Sequence, residues 1–229
     1  MTDTHATGTL PAEGVRRMFD RIAPVYDVMN HVMTAGLDRR WRRITVEETV
    51  RPGDRTLDAC CGTGDLAIAA RSRAADVVGL DFSARMLERA RRKAPDVEFV
   101  EGDMLALPFD DESFDSVTVG FGVRNVEDLE AGIGELRRVL RPGGRLGILE
   151  ITTPRGVLAP FYRVWFDRVV PLLGKVLPGG DAYTYLPASV RRFPAPDALK
   201  ELLEQHGFAG VRYRTFAGGI VALHVAESA

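Results

Sequence analysis

The stretch Asp58-Ala59-Cys60-Cys61-Gly62-Thr63-Gly64-Asp65 decides the fold that this sequence predicts. The short run Arg55–Ala59 leads into it, and Leu66–Arg71, which has the composition of a helix, follows it. A strand, a glycine-containing turn and a helix, in this order, can bind a nucleotide-like ligand at the carboxyl edge of a sheet. Two glycines are also compatible with an ordinary tight turn, so the surrounding sequence has to decide between the two interpretations.

Beyond this turn, short apolar strands alternate with helical segments. The predicted strands are Arg55–Ala59, Ala75–Leu80, Val97–Glu101, Phe114–Val119 and Arg145–Ile151, and the predicted helices are Leu66–Arg71, Ala84–Lys93, Asp128–Leu140 and Asp197–Gln205. Because strands separated by such helices form right-handed crossovers, we expect an α/β, Rossmann-like, mostly parallel sheet with helices on both faces. The last two strands, Val211–Phe216 and Ile220–Val225, are joined at Gly218-Gly219 and predict an antiparallel C-terminal hairpin.

The 229 residues fit one large domain with additions to the α/β core. Residues 1–12 predict a disordered tail, and residues 13–229 predict a single domain. Helical periodicity over residues 13–50 predicts an N-terminal helical cap of three helices, with Asp38 as the N-cap of the third. From residue 154 to residue 194 the alternation stops, and an apolar insertion is predicted to form a lid.

The charge of the chain argues against a nucleic-acid partner. The formal net charge is −2, and charged residues make up 27% of the sequence, so no basic surface for nucleic acid is expected. We assign the local cluster of Arg39, Arg40, Arg42 and Arg43 to the solvated face of a helix. An anionic membrane surface is the alternative partner of this cluster.

The only two cysteines, Cys60 and Cys61, are adjacent. This spacing suits neither a disulfide framework nor a zinc site, so we expect no metal and favour a reducing compartment. The N-terminus lacks the basic and apolar regions of a signal peptide, and no run approaches the roughly 20 apolar residues of a transmembrane helix. We therefore expect a cytoplasmic protein, with peripheral contact at the inner face of the membrane as an alternative placement.

Three acidic residues, Asp58, Asp81 and Asp103, stand at the carboxyl ends of successive predicted strands. Asp81 comes 17 residues after Gly64, close to the spacing of about 20 at which a carboxylate reaches ribose hydroxyls. Each acid has a structural alternative, since Asp103 can merely end a strand and Asp81 can cap the next helix. Together, beside a glycine turn, they favour a nucleoside-binding site.

The charge of the glycine turn indicates which nucleoside is bound. NAD needs a site for its pyrophosphate, and the acids on both sides of the turn, Asp58 and Asp65, disfavour that anion. No Walker lysine follows the turn, so ATP is not expected. Anionic walls favour a cationic ligand that carries an amino group and a sulfonium, which indicates S-adenosylmethionine.

The residues resemble class I methyltransferases, and more narrowly the UbiE/MenG family of quinone-biosynthesis C-methyltransferases. The resemblance runs from about Met18 to His224. It rests on Met18–Asn30, Leu37–Arg42, Cys60–Asp65, Gly79–Ser83, Gly102–Phe109, Phe121–Val126, Tyr183–Pro194 and Gly218–His224. The glycine turn indicates only a methyltransferase, whereas the last three stretches separate this family from others on the fold.

The resemblance implies a set of residues that contact S-adenosylmethionine. With the turn and strand-end residues, the cofactor-binding candidates are Asp58, Gly62, Thr63, Gly64, Asp81, Asp103, Met104 and Gly120. The family often has Ser at the position of Gly120, so a side-chain contact is lost there.

The resemblance also implies a reaction, the transfer of a methyl group to a ring carbon of a polyprenylated hydroquinone, with demethylmenaquinol to menaquinol in menaquinone biosynthesis as the favoured case. That carbon becomes nucleophilic when a neighbouring phenol, with a pKa of about 10, loses its proton. We assign stabilisation of the phenolate to Arg124 and orientation of the ring oxygen to Asn125. Tyr26 and His31 are candidate proton acceptors, although Tyr26 suits a helix-packing stripe equally well.

The apolar insertion offers a surface for the polyprenyl tail, with Tyr185 and Arg191 placed to close over the ring. Its candidate channel residues are Phe161, Tyr162, Trp165 and Phe166. A homodimer interface, a plain lid core and a membrane contact are alternative uses of this segment. We assign Asp20 and His224 to structural or surface roles.

Other functions stay compatible with the sequence. The same scaffold can methylate a ubiquinone precursor, or a phenol or quinol of secondary metabolism. A non-catalytic module that binds an adenosyl ligand or a protein is the alternative from another class. An NAD oxidoreductase is the least favoured interpretation.

Overall fold

The computed structural model describes residues 11–74, 76–154 and 180–229. The candidate channel residues of the insertion and the tail before residue 11 lie outside the described residues. The first helix begins at Ala12, the last residue of the predicted tail. Tyr185 and Arg191 lie within the described part.

A seven-stranded sheet forms the centre of the described structure. Its strands are β1 (Arg55–Ala59), β2 (Asp76–Asp81), β3 (Glu98–Glu101), β4 (Phe114–Gly120), β5 (Leu140–Ile151), β6 (Phe208–Phe216) and β7 (Val221–Ser228). They lie in the order β3-β2-β1-β4-β5-β7-β6, with β1 to β5 parallel and β7 antiparallel to both of its neighbours. The prediction of a Rossmann-like, mostly parallel sheet with an antiparallel C-terminal hairpin is confirmed.

Helices cover both faces of this sheet. They are α1 (Ala12–Ile22), α2 (Tyr26–Met33), α3 (Leu37–Thr49), α4 (Asp65–Ala70), α5 (Ala84–Lys93), α6 (Leu129–Val139), α7 (Gly180–Arg192) and α8 (Pro196–Gln205). Single 3₁₀ turns lie at Ala23–Val25, Val123–Asn125 and Ala217–Gly219. None of the helices in the described ranges has the length and apolar character needed to span a bilayer.

The central strands are buried on both faces, which is why their sequences read as continuous apolar runs. Leu57 of β1 and Leu80 of β2 pack with apolar residues of α6 and α8 on one face. Val77 of β2 and Phe99 of β3 pack with α3, α4 and α5 on the other. The carboxyl ends of the strands therefore open at one edge, between two layers of helices.

The start of β5 differs from the prediction. The strand begins at Leu140, which pairs with Phe114, rather than at Arg145. The register between β4 and β5 then shifts, because the short stretch from Phe114 to Ser116 of β4 lies opposite the longer stretch from Leu140 to Arg145 of β5. The Pro-Gly-Gly sequence of this segment bulges out of the ladder while the strand continues on either side.

The start of α3 also differs from the prediction. Asp38 does not cap this helix, since the N-cap is Gly36 in the left-handed conformation, with φ of 75°. The Asp38 carboxylate is buried instead, accepting hydrogen bonds from Arg42 Nη1 at 2.5 Å and from Thr34 Oγ1 at 3.0 Å. Arg42 is therefore buried as well, and its assignment to a solvated helix face is wrong.

Helix α3 is held tightly against β5, and this contact places the cap over the sheet. Arg145 Nε of β5 donates to the carbonyl oxygen of Thr49 at 2.6 Å. A Cβ atom on Gly147 would lie 2.2 Å from Thr49 Oγ1 and 3.1 Å from Thr49 Cβ, so the strand needs glycine there. The close approach fixes the end of α3 against β5.

We expect Gly147→Ala to lower the free energy of unfolding by about 1–3 kcal/mol, because the new methyl group overpacks the contact with Thr49. The matched control is Gly134→Ala on the exposed side of α6, where a Cβ meets no atom within 4 Å. That control should be neutral or stabilising by up to about 1 kcal/mol. Chemical denaturation of both variants measures the difference, and equal stabilities would contradict this account of α3.

Candidate active site

Asp58 lies in β1 with no exposed surface. Its Oδ1 atom accepts a hydrogen bond from Thr118 Oγ1 of β4 at 3.0 Å, while Oδ2 has no hydrogen-bond partner among the described residues. Burial raises the pKa of Asp58 to about 7. An unpaired buried carboxylate oxygen is costly, so this atom suits a ligand that donates hydrogen bonds and carries positive charge.

Asp81 ends β2 and connects the glycine turn to the next helix. Its Oδ2 atom accepts from the backbone N–H of Gly62 at 2.8 Å, and its Oδ1 atom accepts from the N–H of Ser83 at 2.9 Å. The alternative that Asp81 caps α5 is not what the structure shows, because Ser83 is the N-cap and accepts from Met86 N–H. Burial raises the pKa of Asp81 to about 6.

The glycine turn is shaped by left-handed backbone conformations. Gly62 has φ of 55° and Gly64 has φ of 83°, and Cys60 shares this region with φ of 55°. A Cβ on Gly64 would lie 3.0 Å from the Phe99 ring, so this glycine faces the core, behind the turn. A Cβ on Gly62 would come no closer than 3.9 Å to another residue, the Tyr26 ring, and Gly62 lines the ligand cavity.

A cavity at this edge, here called the polar cavity, brings most of the candidate residues together. From the predicted cofactor set, it is lined by Asp58, Gly62, Thr63, Asp81, Asp103, Met104 and Gly120, but not by Gly64. Asp103 Oδ1 accepts from Leu105 N–H at 2.9 Å, and Met104 is buried beside Cys60 with its Sδ atom 3.6 Å from Cys60 Sγ.

A second cavity of about 310 Å³, here called the apolar cavity, adjoins the polar one. Its lining includes Met29, Met33, Trp41, Ile151, Ile220, Tyr185 and Arg124. Four residues line both cavities and are here called the shared wall: Phe19, Tyr26, Arg42 and Phe121. The cap and the sheet edge therefore enclose a polar and an apolar site on opposite sides of one layer of side chains.

The structure places the two predicted ring-binding residues in different cavities. Arg124 lines the apolar cavity, whereas Asn125 lines the polar one with its Oδ1 atom buried and unpaired. The Arg124 guanidinium donates through Nη1 to Glu150 Oε1 at 2.7 Å, and the Glu150 side chain is 2% exposed. Burial alone would lower the pKa of Arg124, but Glu150 outweighs it and the net pKa is raised, so this side chain stays charged.

Tyr26 lies between the cavities, and burial raises its pKa despite the opposing effects of Asn30 and Arg124. A phenol with a raised pKa stays protonated, so the Tyr26 hydroxyl is available as a hydrogen-bond donor. His31 lines neither cavity; it lies in a separate surface depression with Asp27, and its Nδ1 atom is 3.7 Å from Asp38 Oδ1.

The remaining candidates have structural positions. Asp20 accepts from Ser83 Oγ at 2.6 Å and so joins α1 to the start of α5. His224 is buried, with its ring against Tyr213 and Nε2 2.9 Å from the carbonyl oxygen of Pro196. No group of three His, Cys, Asp or Glu side chains in the described ranges is arranged to hold a metal ion.

A group of polar contacts that the sequence did not predict joins the cap to the glycine turn, through Asp27 and Lys93. Thr63 Oγ1 donates to Asp27 Oδ1 of α2 at 2.5 Å. Lys93 Nζ of α5 is 3.1 Å from Asp27 Oδ2 and also pairs with Asp65. These four residues hold α2 over the turn. The spacing of charges along the chain does not predict their contacts, because the partners are 28 to 66 residues apart in the sequence.

A sequence profile of the ubiE/COQ5 methyltransferase family matches residues 7–228, nearly the whole chain. The chain belongs to the ubiE/COQ5 methyltransferase family. The resemblance to this family is thereby confirmed, and with it the prediction of a methyltransferase whose methyl donor is S-adenosylmethionine.

Relatives in this family share much of the sequence over nearly their full length. The demethylmenaquinone methyltransferase of Thermus thermophilus is 49% identical over 219 residues, which cover 92% of this chain and 99% of the relative. The demethylmenaquinone methyltransferase of Deinococcus radiodurans is 43% identical over 224 residues, covering 94% and 92%.

Solved structures share the fold at much lower identity. The [4+2]-cyclase SpnF superposes with a TM-score of 0.72 at 19% identity, covering 96% of both chains. A Thermotoga maritima protein described as a SAM-dependent methyltransferase, possible histamine N-methyltransferase, has a TM-score of 0.64 at 19% identity, covering 93% of this chain and all of that one. At these identities the similarity concerns the fold alone.

The polar cavity fits the methyl donor of the ubiE/COQ5 family. The unpaired Oδ2 atom of Asp58 suits the amino group, and the carboxylate of Asp81 at the end of β2 suits the ribose hydroxyls. The buried Met104 and the exposed edge of Asp103 close the cavity on the side of β3. When bound, S-adenosylmethionine supplies an electrophilic methyl group on a sulfonium.

Cofactor binding should release protons near neutral pH. The pKa values of Asp58 and Asp81, about 7 and about 6, leave both carboxyls partly protonated there, and a cationic ligand favours their ionised forms. We expect the affinity for S-adenosylmethionine to rise as the pH increases through this range and then to level off. Calorimetry in buffers of different ionisation enthalpy counts the protons released.

The variant Asp58→Asn tests the role of this carboxyl. It should reduce both the affinity for S-adenosylmethionine and the pH dependence of that affinity. In the ligand-free protein the pKa of Asp58 lies above its ordinary value of 3.8, so its contribution to stability is present at low pH and is lost as the pH rises to about 7. The variant should lose this slope in denaturation experiments. An affinity that stays flat across the range would contradict the assignment of Asp58.

Proposed function

We propose that this member of the ubiE/COQ5 family transfers a methyl group from S-adenosylmethionine to a ring carbon of demethylmenaquinol, giving menaquinol. The observation that carries the proposal is the pair of adjoining cavities, one lined by acids and the other mostly apolar, with Arg124 of the buried Arg124–Glu150 ion pair in its wall. Relatives named demethylmenaquinone methyltransferase, at 43 and 49% identity, support the choice of ring.

Arg124 is the residue to which we assign stabilisation of the phenolate. Its Nη1 atom is committed to Glu150 and to the carbonyl oxygen of Phe121, but its Nε atom has no partner among the described residues. A buried, permanently charged guanidinium whose Nε–H donor is unpaired, in the wall of an apolar cavity, is suited to a ring oxygen that becomes negative. Glu150 holds the guanidinium in place and prevents its charge from being left unpaired.

Tyr26 and Asn125 complete the arrangement. Tyr26, in the shared wall, can donate a hydrogen bond across the layer between the two cavities. We assign Asn125 to the methyl donor rather than to the ring, because it lines the polar cavity and its Oδ1 atom is unpaired. The two ligands would then meet at the shared wall, which excludes water from the transfer.

The test is to incubate the purified protein with S-adenosylmethionine and a reduced short-chain demethylmenaquinone, and to identify products by mass spectrometry. Arg124→Gln should lower kcat by roughly 10²-fold, because a preorganised donor to the phenolate is lost. The affinity for S-adenosylmethionine should change little, since Arg124 does not line the polar cavity.

The double variant Arg124→Gln with Glu150→Gln controls for the carboxylate that the single change leaves unpaired. Arg40→Gln, an exposed arginine of the same charge, should keep full activity. Absence of methylated menaquinol, with turnover of a ubiquinone precursor or an unrelated phenol instead, would contradict the proposed substrate. Undiminished kcat in both Arg124 variants would contradict the role of that residue.

A membrane surface is the proposed source of the lipid substrate, and α2 is the proposed contact. Val28 and Val32 lie one turn apart on α2 and are 67% and 70% exposed, while Met29 and Met33 of the same helix line the apolar cavity. An exposed apolar pair on a surface helix is suited to the interfacial region of a bilayer. The exposed arginines of the adjacent α3 complement anionic lipid headgroups; they are Arg39, Arg40 and Arg43.

Sedimentation with vesicles tests this contact. The protein should bind vesicles that contain anionic lipid more tightly than neutral ones, and the double variant Val28→Asn, Val32→Asn should bind about tenfold more weakly. Methylation of a short-chain substrate in detergent should be unaffected by the double variant. The contrary result has two parts: the unchanged protein does not bind vesicles, and light scattering shows a homodimer that the two valine changes dissociate. This face would then contact a second copy of the protein rather than a membrane.

A further inference from the structure

The charges that line the polar cavity are strongly one-sided. Five carboxylates belong to its lining, those of Asp58, Asp65, Asp81, Asp103 and Glu127. Among the described residues that line it, Arg42 is the one basic side chain. S-adenosylmethionine carries a sulfonium, an amino group and one carboxylate, so the acids match its positive groups and leave its carboxylate needing a cation.

Arg42 has the geometry of a carboxylate-binding group. Its side chain is 8% exposed, and its guanidinium lies over the Phe121 ring at 5.4 Å from the ring centroid. Nη1 donates to Asp38 at 2.5 Å, and Nη2 is 3.9 Å from Asp65 Oδ2, beyond hydrogen-bonding distance. A guanidinium has five N–H donors, so most of them stay available to a ligand beside the glycine turn.

The surroundings of Arg42 argue against a purely structural role. One carboxylate, Asp38, is enough to pair its charge on the side of α3, yet the side chain reaches past Asp38 to the wall of both cavities. Stacking on Phe121, whose backbone is held at φ of 59°, fixes the plane of the guanidinium. A fixed plane is what bidentate recognition of a carboxylate requires.

We propose that Arg42 binds the carboxylate of S-adenosylmethionine and makes the polar cavity selective for donors that carry it. Asp38 and Phe121 act as positioning residues for its guanidinium. The inference rests on S-adenosylmethionine being the methyl donor and is independent of which quinol is methylated.

The test compares binding of S-adenosylmethionine with that of decarboxylated S-adenosylmethionine by calorimetry, without a quinol. The unchanged protein should bind the complete molecule at least roughly tenfold more tightly, the ratio expected from one charge-assisted hydrogen-bonded pair. Arg42→Gln should bring the ratio close to one by weakening only the complete molecule. Equal affinities in the unchanged protein would overturn the proposal at once.

Further variants separate recognition from a loss of structure. Arg42→Lys keeps the charge and should keep part of the preference, while Arg39→Gln, one turn earlier on the exposed side of α3, should leave the ratio unchanged. Asp38→Asn keeps an oxygen that can accept from Arg42 Nη1, so the guanidinium stays positioned and most of the preference should remain. If Arg42→Gln weakens the binding of both ligands equally and leaves the ratio of their affinities intact, Arg42 is a structural residue and the proposal fails.

Discussion

Two backbone amides, from Gly62 and Ser83, converge on the carboxylate of Asp81, and the site depends on this convergence. The bonds fix the glycine turn after β1 relative to the start of α5, which lies one strand away in the sheet. The carboxylate is buried, so its ionised form is held by these N–H groups rather than by water. Once the turn and α5 are fixed, Lys93 at the end of α5 can reach Asp27 and hold the cap in place.

The sequence predicted the strand-end acids well because parallel strands of alternating β and α segments must end at one edge. Asp58, Asp81 and Asp103 all reach the polar cavity for that reason. It did not predict that Arg42 is buried, since four arginines within five positions have the composition of a solvated face. Only its partner Asp38, one helical turn earlier, distinguishes Arg42 from the neighbouring arginines. Because the sequence also predicts Asp38 to be a helix cap, it gives no reason to pair this carboxylate with Arg42.

Contacts between residues that are far apart in the sequence could not be predicted either. Glu150 lies 26 residues from Arg124, and nothing in the local pattern of β5 marks its carboxylate as the partner of a guanidinium. The separation of Arg124 from Asn125 into two cavities likewise arises from one 3₁₀ turn, which points adjacent side chains to opposite sides. Short turns of this kind follow from tertiary packing and leave little trace in hydrophobic periodicity.

The shared wall gives the two cavities a common set of side chains, through which binding in one cavity would affect binding in the other. Phe19, Tyr26, Arg42 and Phe121 each line both cavities, so any ordering that one ligand imposes on these side chains would already be complete when the other binds. Such coupling is reciprocal: the factor by which the donor changes the affinity for the acceptor equals the factor by which the acceptor changes the affinity for the donor. A donor held beside a disordered wall would be exposed to water, so a ligand that orders this layer from the apolar cavity would also shield the methyl donor in the polar one.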